Sequence, residues 1–185
     1  MINRNRPDLW KADVARSVDF YNEWFMRFAP VSFRETRVET TKQVEEAIRR
    51  TETLTDIRPE TLKAYPSVLP ILRMSTCPPI ARDRLIGLAG VDKSLVENME
   101  GKNRISPKMK QSDVREQLEK IGEIIEKMAD PDIFVWKERG DIGSQEEVHR
   151  ASIVVADRLC GSIANPIIRN AQEKRQLAAI RDWLI

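Results

Sequence analysis

Apolar residues recur every three to four positions along most of this chain, the period of helices with one buried face. Between Pro7 and Pro30 the spacing is kept by Leu9, Trp10, Val14, Val18, Tyr21, Trp24, Phe25 and Phe28. Pro7 presets the backbone for a helix start, Asp8 suits the first turn, and Pro30 is expected to end the helix. This stretch is the most aromatic in the chain. Its stripe reads as core, although the same rings would also serve as a platform on which bases stack. A second helix is expected around "TTKQVEEAIRRTETL", capped by Thr41, with Val44, Ala47, Ile48 and Leu54 on one face.

From Asp56 to Pro79 the chain holds five of its ten prolines. Short helices broken by turns are expected there, at "PETLKAY" and "SVLPILRM". "PPIARDRLIGLAG" predicts a helix with Pro79 near its start and Gly90 past its end. "DKSLVENMEG" predicts another, capped by Asp92, and the pair has the order of a helix-turn-helix. "SDVREQLEKIGEIIEKMADP" predicts a helix capped by Ser112, with Val114, Leu118, Ile121, Ile124, Ile125 and Met128 inward. "DPDIFVWKERGDIG" is the one place for a short extended segment. "SQEEVHRASIVVADRLCGS" predicts a helix with Val148, Ile153, Val154, Ala156 and Leu159 inward.

A last helix is expected to start at Asn165-Pro166 and to be still running at Ile185, with no Gly, Asn or Pro to close it. The whole pattern predicts an all-α fold: an irregular domain of about eight helices over residues 1–185, with a sub-boundary near 101–112 and no substantial sheet. No internal repeat is present.

Composition changes this picture little. A chain of 185 residues buries a core without metal or disulfide, and 32% charged residues suit long solvated helices. The net charge of +2 is too small to argue for nucleic acid by itself. Cys77 and Cys160 have no neighbour at ligand spacing and read as free thiols in a reducing compartment, Cys160 as a small core residue. The N-terminus has no apolar signal region, and no unbroken run approaches the ~18 apolar residues of a membrane span. The expected address is the cytoplasm.

Local charge is more informative. Residues 101–112 carry Lys102, Arg104, Lys108 and Lys110 and no acid, in a Gly-, Asn-, Ser- and Pro-containing stretch that reads as a loop. It is either solvated surface or a contact to phosphates, where such cations displace counterions. Arg73, Arg82 and Arg84 surround the turn in "RMSTCPPIARDRLIGLAG". Asp83-Arg84 and Asp157-Arg158 read as structural acid–arginine pairs. The last helix carries Arg169, Asn170, Gln172, Lys174, Arg175 and Gln176, side-chain types that read base edges.

Catalytic chemistry is not legible. His149 is the only histidine, and HExxH, CxxC, GxxxxGK[ST] and GxGxxG patterns are missing. A metal-dependent nuclease would show Pro-Asp followed by Asp/Glu-x-Lys. Here Glu100-Gly101-Lys102 precedes Pro131-Asp132 and lies at a helix end. No catalytic or metal-binding residue is therefore assigned within these 185 residues.

The blocks "RPDLWKADVARSVDFYNEWFMRFAPVSFRETR", "LRMSTCPPIARDRLIGLAGV" and "VVADRLCGSIANPIIRNAQEKRQLAAIRDWL" resemble the N-terminal part of the XamI family of type II restriction endonucleases. The resemblance runs from about Pro7 to Leu184. It implies cleavage of double-stranded DNA, with Mg²⁺ held by a C-terminal nuclease domain that would follow the helix ending "IRDWL". It makes Arg82, Arg84, the basic loop with Lys102, Arg104, Lys108 and Lys110, and the segment with Arg169, Asn170, Gln172, Lys174 and Arg175 candidates for contact with DNA or with the nuclease domain, without singling out any of them; Arg73 beside the turn is a further DNA-binding candidate. The resemblance also implies a homodimer on a two-fold DNA site. The competing reading is a helical interaction module that packs on that domain or on a partner through Ile180, Trp183 and Leu184. A stand-alone helix-turn-helix regulator is the third, weakened by Asp92, Glu97 and Glu100 beside Lys93, Ser94 and Asn98.

Overall fold

The computed structural model describes residues 5–184, with side chains to Asp182. Among these residues the chain is all-α, as the periodicity predicts. The helices are α1 (Pro7–Arg50), α2 (Pro59–Ala64), α3 (Leu69–Met74), α4 (Arg82–Ala89), α5 (Lys93–Lys102), α6 (Gln111–Met128), α7 (Val135–Arg139) and α8 (Gln145–Leu184). A 3-10 turn, Pro66–Val68, joins α2 to α3. Among the described residues the only β feature is an isolated antiparallel bridge between Thr76 and Ala129.

Two prolines expected at helix boundaries lie inside helices. Pro30 sits within α1 and Pro166 within α8, so each pair of expected helices is one. A proline removes one N–H from the helical ladder and frees the carbonyl four residues earlier. Those carbonyls belong to Met26 and Ser162, both exposed residues, so the freed acceptors are not sealed in the core. Thr41 is consequently mid-helix and caps nothing. Pro79 precedes α4 without entering it, and Ser112 is the second residue of α6, its hydroxyl bonded to Asp113 at 2.9 Å. The segment expected to be extended forms α7.

The chain divides into two compact units: Arg37–Ser162, and a smaller one made of Met1–Thr36 with Ile163–Ile185. In the larger unit, α6 buries Val114, Leu118, Ile121 and Ile125, spaced four, three and four apart. Gly122 on the same face has no room for a side chain, since a Cβ would lie 2.8 Å from the carbonyl oxygen of Ile57. The end of α1 contributes Thr40, Val44, Ala47 and Ile48, all buried. From α8 the buried face is Ala151, Ser152, Val155, Ala156, Leu159 and Cys160. Ile153 and Val154, expected inward, are 54% and 40% exposed, because the 148-152-155-159 spacing turns them to solvent.

Ser144 and Glu147 close the start of α8 reciprocally: the Glu147 amide donates to the Ser144 hydroxyl at 3.3 Å, and the Ser144 amide to the Glu147 carboxylate at 2.9 Å. Burial pushes the Cys160 thiol above its ordinary pKa, which leaves it a protonated core group. By length and composition the 145–182 part of α8 is enough for one membrane span, which the search for an unbroken apolar run did not reveal. Its buried face already has partners in the larger unit's core.

The smaller unit corrects the aromatic stripe. Leu9, Trp10, Val14, Val18 and Phe25 are 40–54% exposed, so they are not core. Tyr21, Trp24 and Phe28 are half-buried. Two helical segments alone cannot cover a stripe that wide.

Candidate nucleic-acid interface

The helix–turn–helix pattern is real in the larger unit: α4 ends at Gly90 in the left-handed conformation, and α5 starts after Asp92. The turn is held by Gln117 of α6. Its side-chain oxygen accepts the Asp92 amide and its amide donates to the Asp92 carboxylate, both at 2.8 Å. Asp92 therefore serves α6 and makes no side-chain cap on α5. The polar groups of α5 are turned to local use: Asn98 donates to the Ser94 carbonyl at 2.7 Å, and Lys93 lies 3.7 Å from Glu97.

Arg73 is occupied by the fold. Its guanidinium makes a two-pronged ion pair with Glu100, at 2.6 and 3.1 Å, and donates to the Ile80 carbonyl at 2.7 Å. Both side chains are almost buried, at 12% and 11% exposure. Arg82 is exposed and only loosely held by Asp83 and Glu97, at 3.9 and 3.8 Å. Arg84 is exposed and pairs with no acid among the described residues. Asp157 pairs with Arg37 at 3.0 Å. Arg158 donates to Asp130 at 2.9 Å and to the carbonyls of Met74 and Thr76 at 3.1 and 3.2 Å. That arginine ties α8 to the Thr76–Ala129 bridge and is structural.

Residues 103–110 form the basic loop. Asn103 ends α5 in the left-handed conformation with φ 47°, and the Arg104 amide returns to the Asn98 carbonyl at 3.3 Å. Ile105 and Met109 pack on the core, while Lys102, Arg104, Lys108 and Lys110 are all exposed. Among the described residues none of the four cationic groups has an acid in ion-pair range. The loop is thus anchored by two apolar side chains, and its three cations together with Lys102 at the end of α5 make four uncompensated charges.

The other candidate residues lie in the smaller unit. Arg169, Asn170 and Lys174 are exposed, and Gln172 and Arg175 are half-buried. The Arg175 guanidinium sits 3.9 Å over the Phe20 ring and 5.6 Å from the Trp24 ring. Phe20 was outside the expected stripe, and only the register between α1 and α8 shows that it meets Arg175. Ile180 is 56% exposed; the side chains of Trp183 and Leu184 lie outside the described residues. Among the described residues no three His, Cys, Asp or Glu side chains converge where a metal would sit. The described residues do not fit a Mg²⁺ site.

The chain belongs to the XamI restriction endonuclease family, whose model matches residues 52–185. It is also 48% identical, over all of its 185 residues, to the type II restriction enzyme SalI of Streptomyces albus G. It spans 58% of the length of that relative. No solved structure matches it.

Proposed function

We propose that this chain is the helical N-terminal part of a DNA-cleaving enzyme, gripping duplex DNA and positioning a Mg²⁺-dependent nuclease domain. The observation that carries this is the anchored loop with Lys102, Arg104, Lys108 and Lys110 exposed and uncompensated. Four cations on this short stretch, one at the end of α5 and three on the loop that Ile105 and Met109 anchor, can follow a phosphate backbone. Arg82, Arg84 and the Arg169–Arg175 segment supply further contacts, and Arg73 ties α3 to α5 through Glu100. The family and the relative's printed name, a restriction enzyme, support DNA as the substrate.

The test is fluorescence anisotropy of a pooled duplex at low and moderate salt, first with Ca²⁺ and then with Mg²⁺. Binding that weakens steeply with salt, without cleavage, is expected. Cleavage by this chain alone would overturn the assignment of chemistry to another domain. Failure to bind at low salt would overturn the grip.

A second reading is favoured by the apolar surface of the smaller unit. Val14 and Val18 of α1, and Leu177 and Ile180 of α8, are about half exposed or more. Such surface suits packing against a nuclease domain or against a second copy as a homodimer. Self-association abolished by Ile180→Ser or Trp183→Ser is its signature. A strictly monomeric chain at high concentration counts against the homodimer.

A further inference from the structure

The smaller unit contains a groove of about 380 Å³ between the Phe20–Trp24 turn of α1 and the Gln172–Ile180 stretch of α8. Sites for small planar ligands occupy roughly 300–1,000 Å³. Its walls are chemically mixed in an ordered way. Phe20, Tyr21 and Trp24 line one side with rings, and Gln172 and Gln176, one helical turn apart, bring side-chain amides from the other. Arg175 lies between, over Phe20. A seam meant only to join two helices would be closed by aliphatic side chains. This one is open, with Phe20 57% exposed at its edge.

Rings, a guanidinium plane and paired amides are the groups that recognise one ligand class: a nucleobase. Its π-face stacks on rings or on guanidinium, and its edge carries the donors and acceptors that Arg and Gln match. An apolar peptide side chain would leave the guanidinium and both amides without partners. We propose that this groove holds a single nucleobase displaced from the stack of a bound DNA. The proposal rests on the DNA-binding reading above, and it gives the aromatic stretch of α1 a role that the core reading does not. Base stacking on aromatic side chains sets the expected scale, about tenfold in affinity.

The experiment compares two labelled duplexes that differ only by one extrahelical adenine, with the full chain at low salt. The wild type is expected to bind the bulged probe about tenfold more tightly. Phe20→Ala and Gln176→Ala, both at exposed positions, are expected to erase that preference and leave affinity for the paired duplex intact, with unchanged circular dichroism. Free dAMP at millimolar concentration is expected to erase it in the wild type. Equal binding of the two probes by the wild type overturns the groove proposal while the DNA grip stands. So does a preference that survives both variants. Binding of neither probe overturns the grip itself.

Discussion

The indole N–H of Trp136 donates to the main-chain carbonyl of Thr53, 83 positions earlier, at 2.9 Å. That carbonyl belongs to three consecutive left-handed residues: Glu52, Thr53 and Leu54, with φ of 45°, 60° and 64°. None is glycine, and each costs roughly 1–2 kcal/mol in this region. The turn persists because it is held from several sides. The Thr53 amide bonds to Ile48 at 2.8 Å, the Leu54 amide to the Thr51 hydroxyl at 3.3 Å, and the Lys137 ammonium to the Leu54 carbonyl at 2.7 Å.

Trp136→Phe keeps an aromatic ring and removes the donor. The Thr53 carbonyl is partly buried, and losing its donor is expected to cost about 1 kcal/mol, so the urea midpoint is expected to fall accordingly. Amide exchange across residues 51–56 is expected to quicken more than elsewhere. A loss below about 0.5 kcal/mol would show that the turn stands without the indole.

Arg73 and Glu100 give a second stability test. Removing one partner of a nearly buried pair strands the other charge, at a cost of about 3–5 kcal/mol. Glu100→Ala is therefore expected to destabilise strongly, while Arg73→Met with Glu100→Leu recovers most of the loss. If Arg73→Met alone weakened DNA binding at unchanged melting temperature, Arg73 would be a contact and not a support.

The all-α class was readable because the 3.6-residue period of α6 survives even with charged neighbours such as Glu119, Lys120 and Glu123. Helix ends were less readable. Pro30 looks like a stop in sequence and Pro166 like a start, and what allows them inside helices is that the residues with the freed carbonyls, Met26 and Ser162, are exposed, a tertiary fact. Exposure of Val14 and Val18 was hidden for the same reason, since periodicity shows a stripe but not whether anything covers it. The basic loop was legible as charge. That Ile105 and Met109 anchor it was not, because two apolar residues in a polar loop have no period.

Acid stability follows from two carboxylates. Asp56 is lowered from the ordinary 3.8 to about 2, chiefly by the Arg58 guanidinium, with help from the Thr61 hydroxyl and the Arg58 amide. Glu147 is lowered from 4.5 to about 2, first by Arg139 and then by the Ser144 amide. A lowered folded-state pKa stabilises above the unfolded value and loses that contribution as pH falls through the folded one. The melting temperature is thus expected to drop between about pH 4.5 and pH 2. Asp56→Asn is expected to lower it at pH 7 and to flatten the acid limb. An acid limb as steep as the wild type's would show that Asp56 is not a source of it.

The DNA grip makes the most direct demand on the loop. Each phosphate neutralised contributes about 0.9 to the slope of log affinity against log salt. Replacing Lys102, Arg104, Lys108 and Lys110 together by Ala is expected to lower that slope by about 3 to 4, with duplex affinity at low salt falling by more than tenfold. All four side chains are exposed and unpaired, so the melting temperature is expected to stay within the range of ordinary surface substitutions, about 0.5 kcal/mol each. Replacing Lys11 and Arg34 instead controls for bulk charge, since both are exposed and neither belongs to the loop. If that pair lowered the slope as much per charge, attraction would be diffuse and the loop would have no special place in it. If the loop variant alone changes the slope, the phosphates lie along residues 102–110.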